Sequence, residues 1–372
     1  MKRLPRQFST RNLVRFLALT FAVSIFPAQA DTALTTKLPG FNAELKKTSV
    51  SGLSSGAFMT SQLYVVFSDI MVGAGIVAGG PYLCAKSWAG NSLLENATTT
   101  CMNPLTPSVG PNTPHLVELT KALAASGDID PVENLKDDHL YIFSGKSDKT
   151  VTTTVVDQTE AYFEALGIPA SSIQYNKSVD AGHALITDEN DDTDCSETKE
   201  PYVNDCDFEQ STVILNQIYG SLNPPTDTLS SEIMAFDQSE FIDADNTSMS
   251  DTGYVYAPAV CKTHRSCPVH VVLHGCEQGA AVIDPSNKYY AQTGYNQVAE
   301  ANDIIMLYPQ VQPSDEAPVN PKGCWDFWGY SSPDSVDPDF FTRNAPQLRA
   351  IRKMIERLAQ PVETMSLTTT TE

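Results

Sequence analysis

The chain has 372 residues, 24 of them basic and 45 acidic, a net charge of −21 and an apolar content of 41%. That is enough for one large α/β domain or two small ones with a sizeable core. The negative charge argues against nucleic acid and anionic lipid as partners, because their phosphates would be repelled.

The first thirty residues stand apart. Lys2, Arg3, Arg6, Arg11 and Arg15 make a basic start, Phe16 to Phe26 is an apolar run, and Ala28-Gln29-Ala30 fits an A-x-A cleavage site. The apolar run is short for a membrane span, and no later stretch is long enough either. Residues 1–30 therefore read as a signal peptide. The mature protein is expected to be soluble and secreted or periplasmic, without membrane insertion. Removing Met1–Ala30 leaves 19 basic against 45 acidic residues, a net charge near −26. The eight cysteines are an even number in an exported chain, which reads as disulfides. Eight cysteines allow 105 connectivities. Pairing of neighbours gives Cys84–Cys101, Cys195–Cys206, Cys261–Cys267 and Cys276–Cys324. The six-residue step of Cys261–Cys267 is the one most at risk of being too strained to close. None stands in C-x-x-C spacing with histidines, so no zinc site is expected.

In chain order, Lys47–Ser51 is short and β-compatible. It leads into Gly52-Leu53-Ser54-Ser55-Gly56, which fits G-x-S-x-G, the nucleophile elbow of α/β-hydrolases. A serine on so tight a strand-to-helix turn needs glycine two residues to either side, since a side chain there would collide with the neighbouring strand or helix. Ala57–Phe67 follows as a buried helix, with Phe58, Leu63 and Val66 one to two turns apart. The pentapeptide alone is a weak signal, because small-residue loops match it by chance. Gly73–Pro81 reads as a core strand ending in a glycine turn. Residues 84–113, rich in Asn, Pro and Thr, read as a surface excursion pinned by a disulfide, and His115–Ala125 as an amphipathic helix. His139–Phe143 is an apolar strand that runs out into Ser144-Gly145-Lys146-Ser147-Asp148, where the acid of a triad would sit. A helix over Thr159–Leu166 and a strand over Ser172–Asn176 precede Ala181-Gly182-His183, where the base would sit. The order Ser, Asp, His is that of this fold. Asp148 alone could be a turn or cap residue and His183 a satisfied loop histidine, but together with Ser54 these readings require three coincidences.

Asp188–Asp207 is intensely acidic. Asp188-x-Asn190-x-Asp192 faintly resembles a calcium loop, yet Thr193 stands where that loop needs glycine and Lys199 where it needs glutamate. A solvated, disulfide-closed loop is the better reading. From Gly253 strands begin again: Gly253–Pro258, Pro268–Leu273 running into His274-Gly275-Cys276, and Asp303–Gln310. A strand ending in His-Gly normally precedes the nucleophile and supplies an oxyanion-hole N–H. Here it comes about 220 residues later. A helix follows with Leu348, Ile351, Met354, Ile355 and Leu358 on one face. In the usual order such a helix leads directly into the elbow strand. The halves are therefore expected to be exchanged, giving one circularly permuted catalytic domain over 31–363 with a mostly parallel sheet flanked by helices. This requires residues near 45 and 360 to be close in space. Residues 364–372 read as a frayed tail.

Taken together, Ser51-Gly52-Leu53-Ser54-Ser55-Gly56, Ser144-Gly145-x-x-Asp148, Ala181-Gly182-His183, Leu273-His274-Gly275-Cys276 and Cys324-Trp325-Asp326-Phe327-Trp328-Gly329-Tyr330 resemble secreted poly(3-hydroxybutyrate) depolymerases of the single-domain, circularly permuted kind, over roughly residues 45–360. The resemblance implies a serine esterase acting on the polyester or its oligomers through an acyl-enzyme. Ser54 would be nucleophile, Asp148 acid and His183 base, with the Ser55 and Cys276 N–H groups as oxyanion hole. It implies no metal or cofactor, and a monomer is expected. Trp325 and Trp328 are the expected substrate-binding residues, at least one of them bordering the Ser54 pocket, since Asp326, Gly323 and Gly329 suit a loop and a Cys324–Cys276 bridge would tie it to the oxyanion hole; the alternative is that these aromatics are core, as large aromatics usually are. A polymer-binding domain, common among such depolymerases, is not seen, so adsorption would use the catalytic domain's own surface. The alternatives are a general carboxylesterase on small or plant-derived esters, and a silent hydrolase fold used for binding.

Overall fold

Strands with no solvent-exposed face are stable only where both faces of a sheet are covered. β1 (Thr48–Leu53) buries all six of its residues, and β2 (Met71–Val77) buries all but Val72. The computed structural model describes residues 36–362 except His264 and Ser335, so the expected signal peptide and tail lie outside the described residues. Besides β1 and β2, the main sheet holds β3 (His139–Phe143) and β4 (Ile173–Asn176). A small sheet follows with β5 (Leu185–Thr187), β6 (Thr193–Asp194) and β7 (Val203–Asp205). The main sheet is completed by β8 (Met234–Asp237), β9 (Thr252–Tyr256), β10 (Val269–Leu273) and β11 (Ile305–Tyr308).

The eight strands run in the order β4-β3-β2-β1-β10-β11-β9-β8. All neighbours from β4 to β11 are parallel, and β9 and β8 join antiparallel at one edge. β1, from the first half of the chain, thus lies between β2 and β10, and β10 comes from the second half. This is the α/β-hydrolase order with its halves exchanged. The join is visible: Phe41 N–H and Ala43 N–H donate to Leu358 O (2.8 and 3.0 Å), and Asn42 N–H donates to Gln360 O (2.8 Å).

The helices include α1 (Ser55–Val66), α2 (Thr113–Ser126), α3 (Thr153–Leu166), α4 (Gln210–Tyr219), α5 (Tyr295–Asn302) and α6 (Pro346–Leu358). α1 is buried along its whole length, as expected of the elbow helix, and packs on β1 and β2. α6 starts with Pro346 in its first turn, where a missing N–H costs nothing, and buries Leu348, Ile351, Met354, Ile355 and Leu358. All eight cysteines pair with their sequence neighbours, Cys261–Cys267 included, whose Cα atoms stand 5.7 Å apart.

Three differences from the sequence reading have local causes. The core strand expected from Gly73 begins two residues earlier, at Met71, and ends at Val77 ahead of the expected glycine turn, where Ala78 enters the left-handed region (φ 50°). α3 begins at Thr153, six residues before the expected Thr159, with Val155 and Val156 buried. The acidic loop is not simply solvated: it carries the small parallel sheet, closed by Cys195–Cys206, with Asn204 fully buried. There Asp192 accepts from Thr187 Oγ1 (2.6 Å) and pairs with Lys288.

The elbow depends on contact between backbones. A Cβ on Gly56 would lie 2.3 Å from Leu273 O and 2.4 Å from His274 O, and one on Gly52 would lie 2.5 Å from Gly56 O. Both obstacles are main chain and cannot swing aside. Gly56→Ala is therefore expected to lower stability by about 2 kcal/mol or more, read as a shift of the urea midpoint. An unshifted midpoint would mean that β10 does not press on the elbow in solution.

Candidate active site

The candidate catalytic residues come from three loops at the C-terminal ends of parallel strands, where an open α/β sheet leaves a crevice. Ser54 occupies the turn between β1 and α1 at φ 58°, ψ −122°, a conformation that costs a non-glycine residue roughly 1–3 kcal/mol. The parallel register sets Gly52 beside Leu273, so the loop after β10 runs past the serine. Gly275 is close enough that a Cβ there would stand 3.3 Å from Ser54 Cβ.

Asp148 lies beyond β3 and His183 beyond β4. The two loops are joined by backbone bonds from Lys146 N–H to Val179 O (2.9 Å) and from Ser147 N–H to Ala181 O (3.0 Å). This brings His183 Nδ1–H to Asp148 Oδ2 at 2.7 Å, with both residues buried. The other carboxylate oxygen accepts Thr150 N–H (2.8 Å) and Val151 N–H (3.0 Å), so the carboxylate is held at both ends. Asp148 thus also forms a turn, one of the bland roles its sequence context allowed. The disulfide-closed loop supports His183: Thr198 Oγ1 accepts His183 N–H (2.9 Å) and Cys195 O accepts Gly182 N–H (2.8 Å). An imidazole held through Nδ1 by a carboxylate keeps the tautomer whose Nε2 can accept a proton.

Ser55 leads α1, so its N–H has no partner within the helix. In the facing loop, Gly275 N–H donates to Gln278 Oε1 and Glu277 N–H to Lys322 O, both at 2.7 Å. Cys276 N–H, between them, has no acceptor among the described residues. His274 aims that N–H. Its Nε2 accepts Val311 N–H (3.2 Å), which leaves Nδ1–H to hold Gly275 O (2.7 Å). In a planar trans peptide the N–H points opposite the carbonyl, so Cys276 N–H is turned away from His274. Burial pushes the His274 pKa down to about 4 and keeps the ring neutral. The segment Cys324-Trp325 holds both donor residues: Cys324 is disulfide-bonded to Cys276, and Trp325 N–H donates to Ser55 Oγ (3.2 Å).

Ser54, Ser55, His183 and Cys276 line one cleft of about 600 Å³. Phe58, Leu94, Met102, Val319, Phe327 and Trp328 give it apolar walls. Trp328 borders it as expected, edge-on to Phe327 at 5.0 Å, and Phe327 stacks on Phe58 at 4.2 Å. Trp325 does not border it and corrects the expectation. It is 0% exposed and packs against the His-Gly-Cys loop, 5.6 Å from the His274 ring. Asp326 explains the difference. It too is buried, accepting from Trp328, Gly329, Tyr330 and Ser331 N–H, so the run is a tight turn with one tryptophan on each side. Leu94, Met102 and Val319 carry no pattern in sequence. Leu94 and Val319 are large apolar residues left 55% and 64% exposed, which only the fold displays.

A second cavity of about 500 Å³ lies among Asp188, Asp192, Glu209, Asp227 and Lys288, and holds none of these catalytic candidates. Among the described residues no cluster of three or more histidine, cysteine or carboxylate side chains is placed to hold a metal ion. No helix there is long and apolar enough to cross a membrane.

The sheet order, the elbow and the crevice define an α/β-hydrolase of the permuted type. Comparison with known proteins narrows this. No family model matches the sequence. A poly(3-hydroxybutyrate) depolymerase of Delftia acidovorans is 38% identical over 327 residues, 87% of this chain and 61% of that protein. The chain thus spans less than two thirds of that relative's length. A polyhydroxybutyrate depolymerase of Talaromyces funiculosus is 36% identical over 308 residues, 79% of this chain and 86% of that one. The crystal structure of the PHB depolymerase from Penicillium funiculosum superposes with a TM-score of 0.77 at 33% identity, covering 87% of this chain and 99% of that one. A PHB depolymerase serine-to-alanine variant in complex with an R3HB trimer matches equally well, at 32% identity. The chain belongs to the polyhydroxybutyrate depolymerase family.

One titration tests the acidic cavity. Burial, with Asp188 beside it, raises the Glu209 pKa to about 7. A carboxyl whose folded pKa is raised favours the native state least once ionised, so its cost grows as pH rises from its unfolded value of about 4.3 to about 7. Glu209→Gln should therefore gain in urea midpoint over the wild type between pH 5 and 8. A constant gap would show that this carboxyl ionises freely.

Proposed function

We propose that this chain is an exported serine esterase that hydrolyses poly(3-hydroxybutyrate) or its oligomers through an acyl-enzyme. The observation that carries the reading is the convergence of the strained Ser54 turn, the carboxylate-held His183 and a free backbone N–H at Cys276 on one apolar cleft. Family membership supports the substrate class. The A-x-A pattern at Ala28–Ala30 and the four disulfides support export.

In this mechanism His183 Nε2 takes the Ser54 proton as Oγ attacks the ester carbonyl, and Asp148 stabilises the imidazolium. The oxyanion forms between Ser55 N–H and Cys276 N–H, each contributing about 3 kcal/mol by comparison with other such donors. The protonated base then gives its proton to the leaving alkoxide, and a water activated by the same histidine releases the hydroxy acid. The polyester is uncharged and bears methyl groups, so walls such as Phe327 and Trp328 bury it without leaving a charge unpaired.

Ser54→Ala should lower kcat at least about 10⁴-fold. His183→Ala should do the same, and the double variant should lose little more, because the two act as a unit. A Ser54→Ala variant that kept a tenth of the activity would refute the assignment. Turnover of a poly(3-hydroxybutyrate) suspension beside a soluble short-chain nitrophenyl ester tests the substrate. Activity on the ester alone would make the chain a general carboxylesterase.

The two tryptophans should separate in the same pair of assays. Trp328→Ala is expected to weaken polymer hydrolysis much more than ester hydrolysis, with little change in melting temperature. Trp325→Ala should cost about 3–5 kcal/mol of stability, as for other buried large aromatics, and depress both activities together. The opposite pattern would exchange their roles.

A further inference from the structure

We propose that Gln278 is a positioning residue that holds the oxyanion loop and the loop behind the base at a fixed separation. The inference rests on the reading of Ser54 as nucleophile and Cys276 N–H as oxyanion donor.

Gln278 is 1% exposed and forms part of the cleft wall beside Gly275 and Cys276. Its Oε1 accepts Gly275 N–H at 2.7 Å, and its Nε2 donates to Pro201 O at 2.9 Å and to Tyr202 O at 3.0 Å. Both ends of the amide are therefore engaged, on two different loops. On one side is the peptide before the oxyanion donor. Gln278 holds Gly275 N–H while His274 holds Gly275 O, so the main chain at Gly275, which has no side chain to limit it, is restrained on both sides of its Cα. On the other side, Pro201 and Tyr202 belong to the Cys195–Cys206 loop, the loop that accepts His183 N–H at Thr198 Oγ1 and Gly182 N–H at Cys195 O. A continuous path thus runs from the base through this loop and one amide to Cys276. A second link, Tyr202 Oη to Glu277 Oε2 at 3.1 Å, is only part-buried, where water competes for both groups.

The residue type matters. A planar amide supplies one acceptor and two donors from a single group. Methionine fills similar space with neither. A glutamate carboxylate keeps the acceptor for Gly275 but turns bare oxygen toward two carbonyls. Burial and those carbonyls disfavour its ionised form, so its pKa should rise. Once protonated, it regains one donor.

The test uses the full chain and a soluble nitrophenyl ester. Gln278→Met should lower kcat about 10–100-fold, less than the roughly 10²–10³-fold cost of removing an oxyanion donor outright, with KM within about threefold. A trifluoromethyl ketone, whose adduct with the serine places an oxyanion in the hole, should lose affinity by the same factor as kcat/KM. For Gln278→Glu, the kcat ratio to wild type should rise as pH falls from 8 to 6, whereas for Gln278→Met it should stay flat. A purely structural role would lower the melting temperature without these kinetic signatures. The proposal is overturned if folded Gln278→Met keeps kcat within twofold, if its loss lies in KM rather than in kcat and ketone affinity, or if the Gln278→Glu ratio does not change with pH. Should Gln278→Met fail to fold, the Gln278→Glu profile decides alone. An inactive wild type, or an active Ser54→Ala, would overturn the functional reading itself. An active wild type with inactive Ser54→Ala and unaffected Gln278 variants would overturn this inference only.

Discussion

The whole site depends on how closely β10 can approach the turn between β1 and α1. Gly52 and Gly56 leave room for the carbonyls of Leu273 and His274 to press against the elbow, where even a methyl group would meet main chain below 3 Å. Because this contact is between backbones, it sets the height of Ser54 relative to Gly275 and Cys276 without relying on any side-chain rotamer. The positive φ of Ser54 is sustained by that contact, with α1 buried below it and β2 beside it.

The same pair of strands is keyed by a buried polar network. His270 on β10 meets Ser49 Oγ through Nδ1 (2.6 Å) and Ser51 Oγ through Nε2 (2.8 Å), both serines on β1. Tyr219 and Tyr295 close the network at its ends. Burial pushes the His270 pKa down to about 3, so the ring is neutral and serves as both donor and acceptor. A slip of one residue would turn the serines to the other face of the sheet and strand the imidazole. The network thus specifies the register that brings the elbow level with the His-Gly-Cys loop.

Around this fixed pair, the loops are joined by short links. The Asp148 and His183 loops pack main chain on main chain, His183 is held from behind by the disulfide-closed loop, and Cys324-Trp325 reaches both Ser55 and Cys276. Each link ties segments far apart in sequence. The permutation changes none of this, because Phe41–Ala43 and Leu358–Gln360 meet where the α/β-hydrolase order would run continuously.

What the sequence determined by itself was the local chemistry and its order. Glycine spacing around Ser54, the Gly-x-x-Asp and Gly-His turns after apolar strands, and the one-faced pattern of α6 are short-range consequences of sterics and periodicity, so they can be read without a fold. Exchange of the halves was legible too, since the order of motifs survives in the chain. Tertiary structure alone decided what depends on which surfaces meet. Trp325 and Trp328 are nearly equivalent in sequence, yet the buried Asp326 turn sends one into the core and the other to the cleft. Val213-Ile214-Leu215 would suit a strand as well as a helix, and docking on β2 and β3 settles it as part of α4. Leu94, Met102 and Val319 become cleft walls, and Gln278 a bridge, through neighbours that lie far away in the chain. Burial and partnership are properties of pairs of surfaces, and a linear pattern records only one member of each pair.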